Sequence, residues 1–191
     1  MEKETFLVVG LGNPGLKYAH TRHNMGFDAI QILADRLGMG FTKERCGGLV
    51  GETDVDGVRL ALCQPQTFMN LSGECVSPLL HWYKCPLDHL MVLCDDIDLA
   101  PGKLRFRRAG RAGTHNGLRN IVEQLGSTDF PRCRIGVGAP PEDWDLVNWV
   151  LGKPLTREEQ AVILDAQTRA ADGVQLWIKE GIDKTMSKYN G

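Results

Sequence analysis

His20, Arg22, His23 and Asn24 crowd into one polar stretch, AHTRHN, which follows the apolar run FLVVG and the turn residue Asn13. Histidine is the side chain whose ordinary pKa suits it to take a proton near neutral pH. A second apolar run, LMVLC, ends in Asp95-Asp96. If both runs are strands of one sheet, their ends share an edge, and Asp95 can meet a histidine there. A carboxylate bonded to one ring nitrogen fixes the tautomer and favours the imidazolium formed during proton transfer. Taken singly, either histidine also reads as a surface residue, and Asp95 as a cap on the turn that follows it.

Two asparagines stand where loops turn into helices: Asn70 in TFMNLSG and Asn116 in GTHNG. Helix capping accounts for both without any function. A side-chain amide also carries a donor and an acceptor, and so can hold a peptide backbone or a polarised carbonyl. Amides beside a histidine suggest hydrolysis at an acyl group. With no GxSxG elbow and no convincing setting for a catalytic cysteine, water is the expected nucleophile.

VVGLGNPG contains a literal GxGxxG in Gly10, Gly12 and Gly15. A dinucleotide site needs a helix to start inside that motif, with its N-terminus on the pyrophosphate. Here the next helical periodicity begins only near Gly26, and the acidic Asp35 falls within that helix pattern, not at a strand end. The letters match and the context argues against the cofactor.

The elements that must position these residues can be read from periodicity and punctuation. Strands are expected over residues 5–10, 49–55, 58–64, 89–94, 104–108 and 132–137, with Asp56-Gly57 closing a hairpin. Helices are expected over 26–37, over 71–84 with a bend or restart at Pro78, and near 118–125. Thr156-x-x-Glu159 is a capping box opening a long helix to about residue 179. A last short helix covers 182–189. Strands and helices alternate, so the expected architecture is a single α/β domain with a mixed sheet.

Length and composition agree. The 191 residues with 42% hydrophobic content suit one well-buried domain, and 24% charged residues is an ordinary globular share. No apolar run approaches a membrane span and the N-terminus lacks a signal-peptide core, so a cytoplasmic protein is expected. The six cysteines form no CxxC pair and read as reduced core thiols. His81, Cys85 and His89 have helical spacing, but Pro86 interrupts it and a fourth metal ligand is not evident. The net charge is −2, yet residues 103–119 hold six basic side chains and no acidic one. A basic patch on an otherwise acidic body is a footprint for a polyanion.

GLGNPGxxYxxTRHNxG, TFMNLSG, DDIDLAPG, GTHNGLRNI, RIGVG and VLGKP, in that order and over almost the whole chain, resemble the bacterial type of peptidyl-tRNA hydrolase. The resemblance implies a twisted mixed β-sheet surrounded by helices, one domain over residues 1–191, acting as a monomer without metal or cofactor. It implies peptidyl-tRNA as substrate: the ester joining peptide to the 3′-terminal ribose is hydrolysed, recycling tRNA released prematurely from ribosomes. By matched position His23, not His20, is the base, and Asp95 holds it in its basic form. Asn13 separates peptidyl-tRNA from unblocked aminoacyl-tRNA. Tyr18, Phe68, Asn70 and Asn116 contact substrate, and Asn116 also serves the attacking water or the oxyanion. Arg107 and Arg134 take the phosphate-clamping positions, the first where the family commonly has lysine. Three places depart from the pattern: the acidic PPEDWDLVNW at 140–149, Cys94 where histidine often stands, and Pro78 inside a helix. A non-catalytic RNA-binding member of the same fold is the main alternative; retention of a base with its carboxylate argues against it.

Overall fold

The computed structural model describes residues 2–191. Strand β1 (Thr5–Gly10) is buried along its whole length, which is why TFLVVG reads as an unbroken apolar run and not as an alternation. It lies at the centre of a seven-stranded mixed sheet. On one side β1 runs parallel to β4 (Val58–Pro65), which is joined to β3 (Gly48–Val55) as an antiparallel hairpin, with the short β2 (Lys43–Arg45) at that edge. On the other side β1 runs parallel to β5 (Leu90–Asp96), then comes β7 (Arg132–Gly136), and β6 (Leu104–Arg107) closes the far edge antiparallel to β7. Asp56 and Gly57 turn the hairpin with φ of 49° and 84°, the double positive φ expected of a primed turn.

Helices cover both faces. On one face α1 (Met25–Arg36), α5 (Arg157–Glu180) and α6 (Ile182–Tyr189) pack on a core that includes Val8, Leu60, Met91, Phe106 and Trp177. On the other, α2 (Ser72–Trp82) and α3 (Asn116–Leu125) pack on Leu7, Val9, Val92, Leu79 and Ile121. Burying each such side chain contributes roughly 1.5–3 kcal/mol before the entropy of ordering is set against it. The first two glycines of the GxGxxG, Gly10 and Gly12, serve this packing. A Cβ on Gly10 would lie 2.2 Å from the Gly26 carbonyl oxygen, so the first turn of α1 rests directly on the end of β1.

Half of the capping box at Thr156 is present: its side chain accepts from the Glu159 N–H and α5 follows, while the Glu159 carboxylate accepts the Leu155 N–H and not that of Thr156. Three details differ from expectation. α2 runs through Pro78 in a single helix. α3 starts two residues early, at Asn116, because His115 and not an asparagine caps it. Two short elements lack a readable period: β2, whose KER is entirely charged, and the five-residue α4 (Leu146–Val150), capped by Asp145. The acidic 140–149 segment thus has a local role, since Asp145 accepts from the Asn148 backbone. Cys94 is buried in β5, and all six cysteines are free thiols.

The neighbours of β1, namely β4 and β5, are reached by connections leaving in opposite directions. In an open α/β sheet the crevice at the carboxyl ends of such strands is where ligands bind. Asn13 and Asp95 both leave the sheet there.

Candidate active site

A cavity of about 360 Å³ opens at this edge. Its lining takes in Asn13, Tyr18 and His23 from the loop after β1, Phe68 and Asn70 before α2, Asp95 at the end of β5, His115 and Asn116 at the start of α3, and Arg134 on β7. Eight of the nine residues singled out from the sequence therefore share one cleft. The ninth, Arg107, lies outside it, exposed at the end of β6.

The loop after β1 makes one helical turn at Leu16–Tyr18, and a second single turn, at Arg22–Asn24, leads into α1. That turn sends three consecutive side chains to three partners. His23 Nδ1 lies 2.9 and 3.1 Å from the two oxygens of Asp95. Asn24 accepts from the Asn13 backbone N–H at 2.8 Å and donates to the Asn13 carbonyl at 2.9 Å. Arg22 reaches away from the cleft towards α4 and α5. His20 is turned outward at a φ of 60° and pairs with Asp28, so only one of the two candidate histidines enters the cleft.

Asp95 is buried and serves a second histidine that the sequence reading passed over. His115 Nε2 lies 2.9 Å from Asp95 Oδ1, and its Nδ1 accepts the Leu118 N–H. An acceptor nitrogen carries no proton, so His115 donates to Asp95 through Nε2 and has no nitrogen left for a substrate. His23 instead donates through Nδ1 and keeps Nε2 as an unused lone pair. Burial works against the His23 imidazolium, but the Asp95 charge and hydrogen bond outweigh it, and its pKa is raised above the ordinary 6.5. Burial also works against the Asp95 carboxylate, yet its two histidine partners hold its pKa well below the usual carboxylate range. His23, Asp95 and His115 are the one group among the described residues with ligand atoms close enough for a metal ion, within 4.8 Å of one another; in the hydrogen-bonded arrangement protons occupy those contacts. The other metal-like spacing is dispersed: His89 stacks on Phe6 and pairs with Glu4, while Cys85 donates to the Thr5 carbonyl.

The amides are poised as donors. Asn13 Oδ1 accepts the Met69 N–H at 2.8 Å, which leaves its NH₂ group for a ligand carbonyl. Asn70 and Asn116 are exposed in the cleft and neither caps a helix by its side chain. Asn116 begins α3, where first-turn N–H groups and the helix dipole favour a developing negative charge. Phe68 sits at φ 64°, ψ 157°, a region that side chains other than glycine avoid, and its ring meets Tyr18 edge to face at 6.4 Å. Such strain, of order 1–3 kcal/mol, is characteristic of functional loops.

Beside the cleft, β6 and β7 set Arg105 opposite Arg134 and Arg107 opposite Arg132. Arg132 is buried, bonded to the Phe130 and Thr128 carbonyls. Arg134 donates to the Arg111 carbonyl and lies 3.7 Å from Asp96.

The family model described as Peptidyl-tRNA hydrolase matches residues 7–191. The chain belongs to the peptidyl-tRNA hydrolase family. It is 49% identical over 186 residues to the peptidyl-tRNA hydrolase of Chloroflexus aggregans, covering 97% of this chain and 98% of the relative. It is 46% identical to that of Syntrophomonas wolfei, with 96% and 99% covered. The crystal structure of peptidyl-tRNA hydrolase from Acinetobacter baumannii superposes with a TM-score of 0.91 at 34% identity, over 100% of this chain and 98% of that one. A hydrolase family and a mixed-sheet α/β fold are thereby established for the chain. Among the described residues no helix is long and apolar enough to cross a membrane.

Proposed function

We propose that this hydrolase cleaves the ester between peptide and tRNA with His23 as general base, recycling tRNA from prematurely released peptidyl-tRNA. The observation that carries this reading is the His23–Asp95 pair at 2.9 Å, with Nε2 of His23 uncommitted beside the donor amide of Asn13. Water attacks the ester carbonyl carbon and gives its proton to His23 Nε2. Asn116, at the start of α3, holds the developing oxyanion. The tetrahedral intermediate then breaks its bond to the ribose oxygen, which receives the proton back from the imidazolium. A placed base contributes about 10²–10⁴-fold, and a good oxyanion donor about 3 kcal/mol.

Selectivity follows from Asn13. Its NH₂ pairs with the acyl carbonyl of a blocked amino acid; a free α-ammonium offers no such acceptor and is poorly solvated there. Tyr18, Phe68 and Asn70 line the same slot for the peptide. Arg107 and Arg134 clamp phosphates of the acceptor stem. Like charges set directly across strands repel, so Arg105 facing Arg134, with Arg107 exposed beside them, gains from a polyanion laid along the ribbon. The protein acts as a cytoplasmic monomer of one domain, without a cofactor.

Hydrolysis of N-acetylaminoacyl-tRNA compared with unblocked aminoacyl-tRNA tests the assignment. The blocked substrate is turned over and the unblocked one is left largely intact; equal turnover of both contradicts the role of Asn13, and turnover of neither contradicts the function.

A further inference from the structure

Arg22 is fully buried, yet it touches neither the cavity nor Asp95. Its guanidinium lies flat against Trp149, 3.5 Å from the ring centroid. Nη1 donates to the Trp149 carbonyl at 3.2 Å and Nη2 to Glu159 at 3.0 Å, while the Arg22 backbone N–H donates to the Gly152 carbonyl at 2.9 Å. A Cβ on Gly152 would come within 3.2 Å of Nη1, so glycine there lets the chain close on the cation. Trp149 is also tied back, through Nε1, to the Gly138 carbonyl at 2.8 Å. One arginine thus gathers the exit of β7, the helix α4 and the start of α5.

What it fastens is a wall of the cavity. Leu146, Val147, Val150 and Leu151 line the cleft, and all belong to α4 or the residue after it. A helix of five residues has no stability of its own and holds its place only through tertiary contacts. Among them is a buried cation against an indole and a carboxylate, a contact that is costly to break by removing one partner. We propose that Arg22 is a positioning residue for substrate selection: by clasping Trp149 and Glu159 it keeps the apolar wall in place, so that blocked substrates whose esterified residue has a large apolar side chain are favoured. The inference rests on the proposed function for the identity of the substrate, and on contacts alone for the clasp.

The test uses Arg22→Lys, which keeps a charge for Glu159 but loses the planar stack, and Trp149→Leu, which removes the ring; Trp149→Phe retains a ring for the cation. With N-acetylphenylalanyl-tRNA, KM rises about tenfold in Arg22→Lys and in Trp149→Leu, and Trp149→Phe recovers most of the loss. With N-acetylglycyl-tRNA, which offers the wall nothing, KM stays within about twofold and the pH profile of kcat is unmoved. Equal losses on both substrates, or a displaced pH profile, overturn the proposal, since the clasp would then act on the fold or on His23. Amide exchange at Leu151 and Gly152 reads the clasp without any substrate. In Arg22→Lys it quickens about tenfold while β5 and α3 are unchanged; unchanged exchange overturns the clasp. If the wild type turned over neither substrate, the proposed function would fail while the exchange result still decided whether Arg22 holds α4.

Discussion

His23 and His115 come to the cleft on loops from different parts of the chain, and each lies 2.9 Å from the same oxygen of Asp95. They differ in the nitrogen that makes the bond. His23 uses Nδ1 and keeps Nε2 uncommitted; His115 uses Nε2 because its Nδ1 is already taken by the first turn of α3. One carboxylate therefore makes a base of one imidazole and a structural donor of the other. Proximity to a carboxylate does not assign a catalytic role; the partner of the second nitrogen does.

That contrast is most severely broken at His23. His23→Ala lowers kcat by about 10²–10⁴-fold and leaves tRNA affinity nearly intact, as single-turnover and binding measurements read separately. Full activity in that variant removes the base. Asp95→Asn comes next, with a loss of roughly 10²-fold in kcat/KM. It also moves the pH profile. Wild-type activity needs neutral His23, and the carboxylate raises that pKa, so the acid limb of kcat/KM has its midpoint above 6.5. Removing the charge brings the midpoint down, and an unmoved limb in Asp95→Asn contradicts the assignment. His115→Gln, which loses a brace on Asp95 and the side-chain cap of α3, costs about tenfold with the limb retained.

How much of this was legible in the sequence depends on the range of the contact. The strand FLVVG, the Asp-Gly hairpin and the Thr156 cap are local patterns, and they appear within a residue or two of expectation. Asn13, Asp95 and a histidine could be placed together because strand ends share an edge, while the choice of His23 over His20 came from the family resemblance. His115 escaped notice because GTHNG drew attention to its asparagine, and histidine is not among the residues that usually cap a helix. The Arg22 clasp had no local trace: Trp149 and Glu159 lie 127 and 137 residues away in the chain. β2 and α4 were missed for the opposite reason, being too short to show a period.

Smaller effects sharpen the distinction between chemistry and binding. Arg107→Ala and Arg134→Ala weaken tRNA binding and each lower the slope of log K against log salt by roughly one, with kcat at saturation kept. An unchanged slope in both shows that this ribbon is not the clamp. Phe68→Gly relieves the unfavourable φ and keeps the thermal midpoint at or above the wild-type value, while KM rises as the ring leaves the slot. A lowered midpoint contradicts the idea that the site stores strain there.

The assignment of roles to the two rings is open to direct inspection by ¹⁵N NMR of the imidazole nitrogens across a pH titration. The account predicts that neutral His23 carries its proton on Nδ1 and titrates above 6.5, while neutral His115 carries its proton on Nε2. A neutral His23 protonated on Nε2 would leave no base facing the cleft, and would contradict the mechanism.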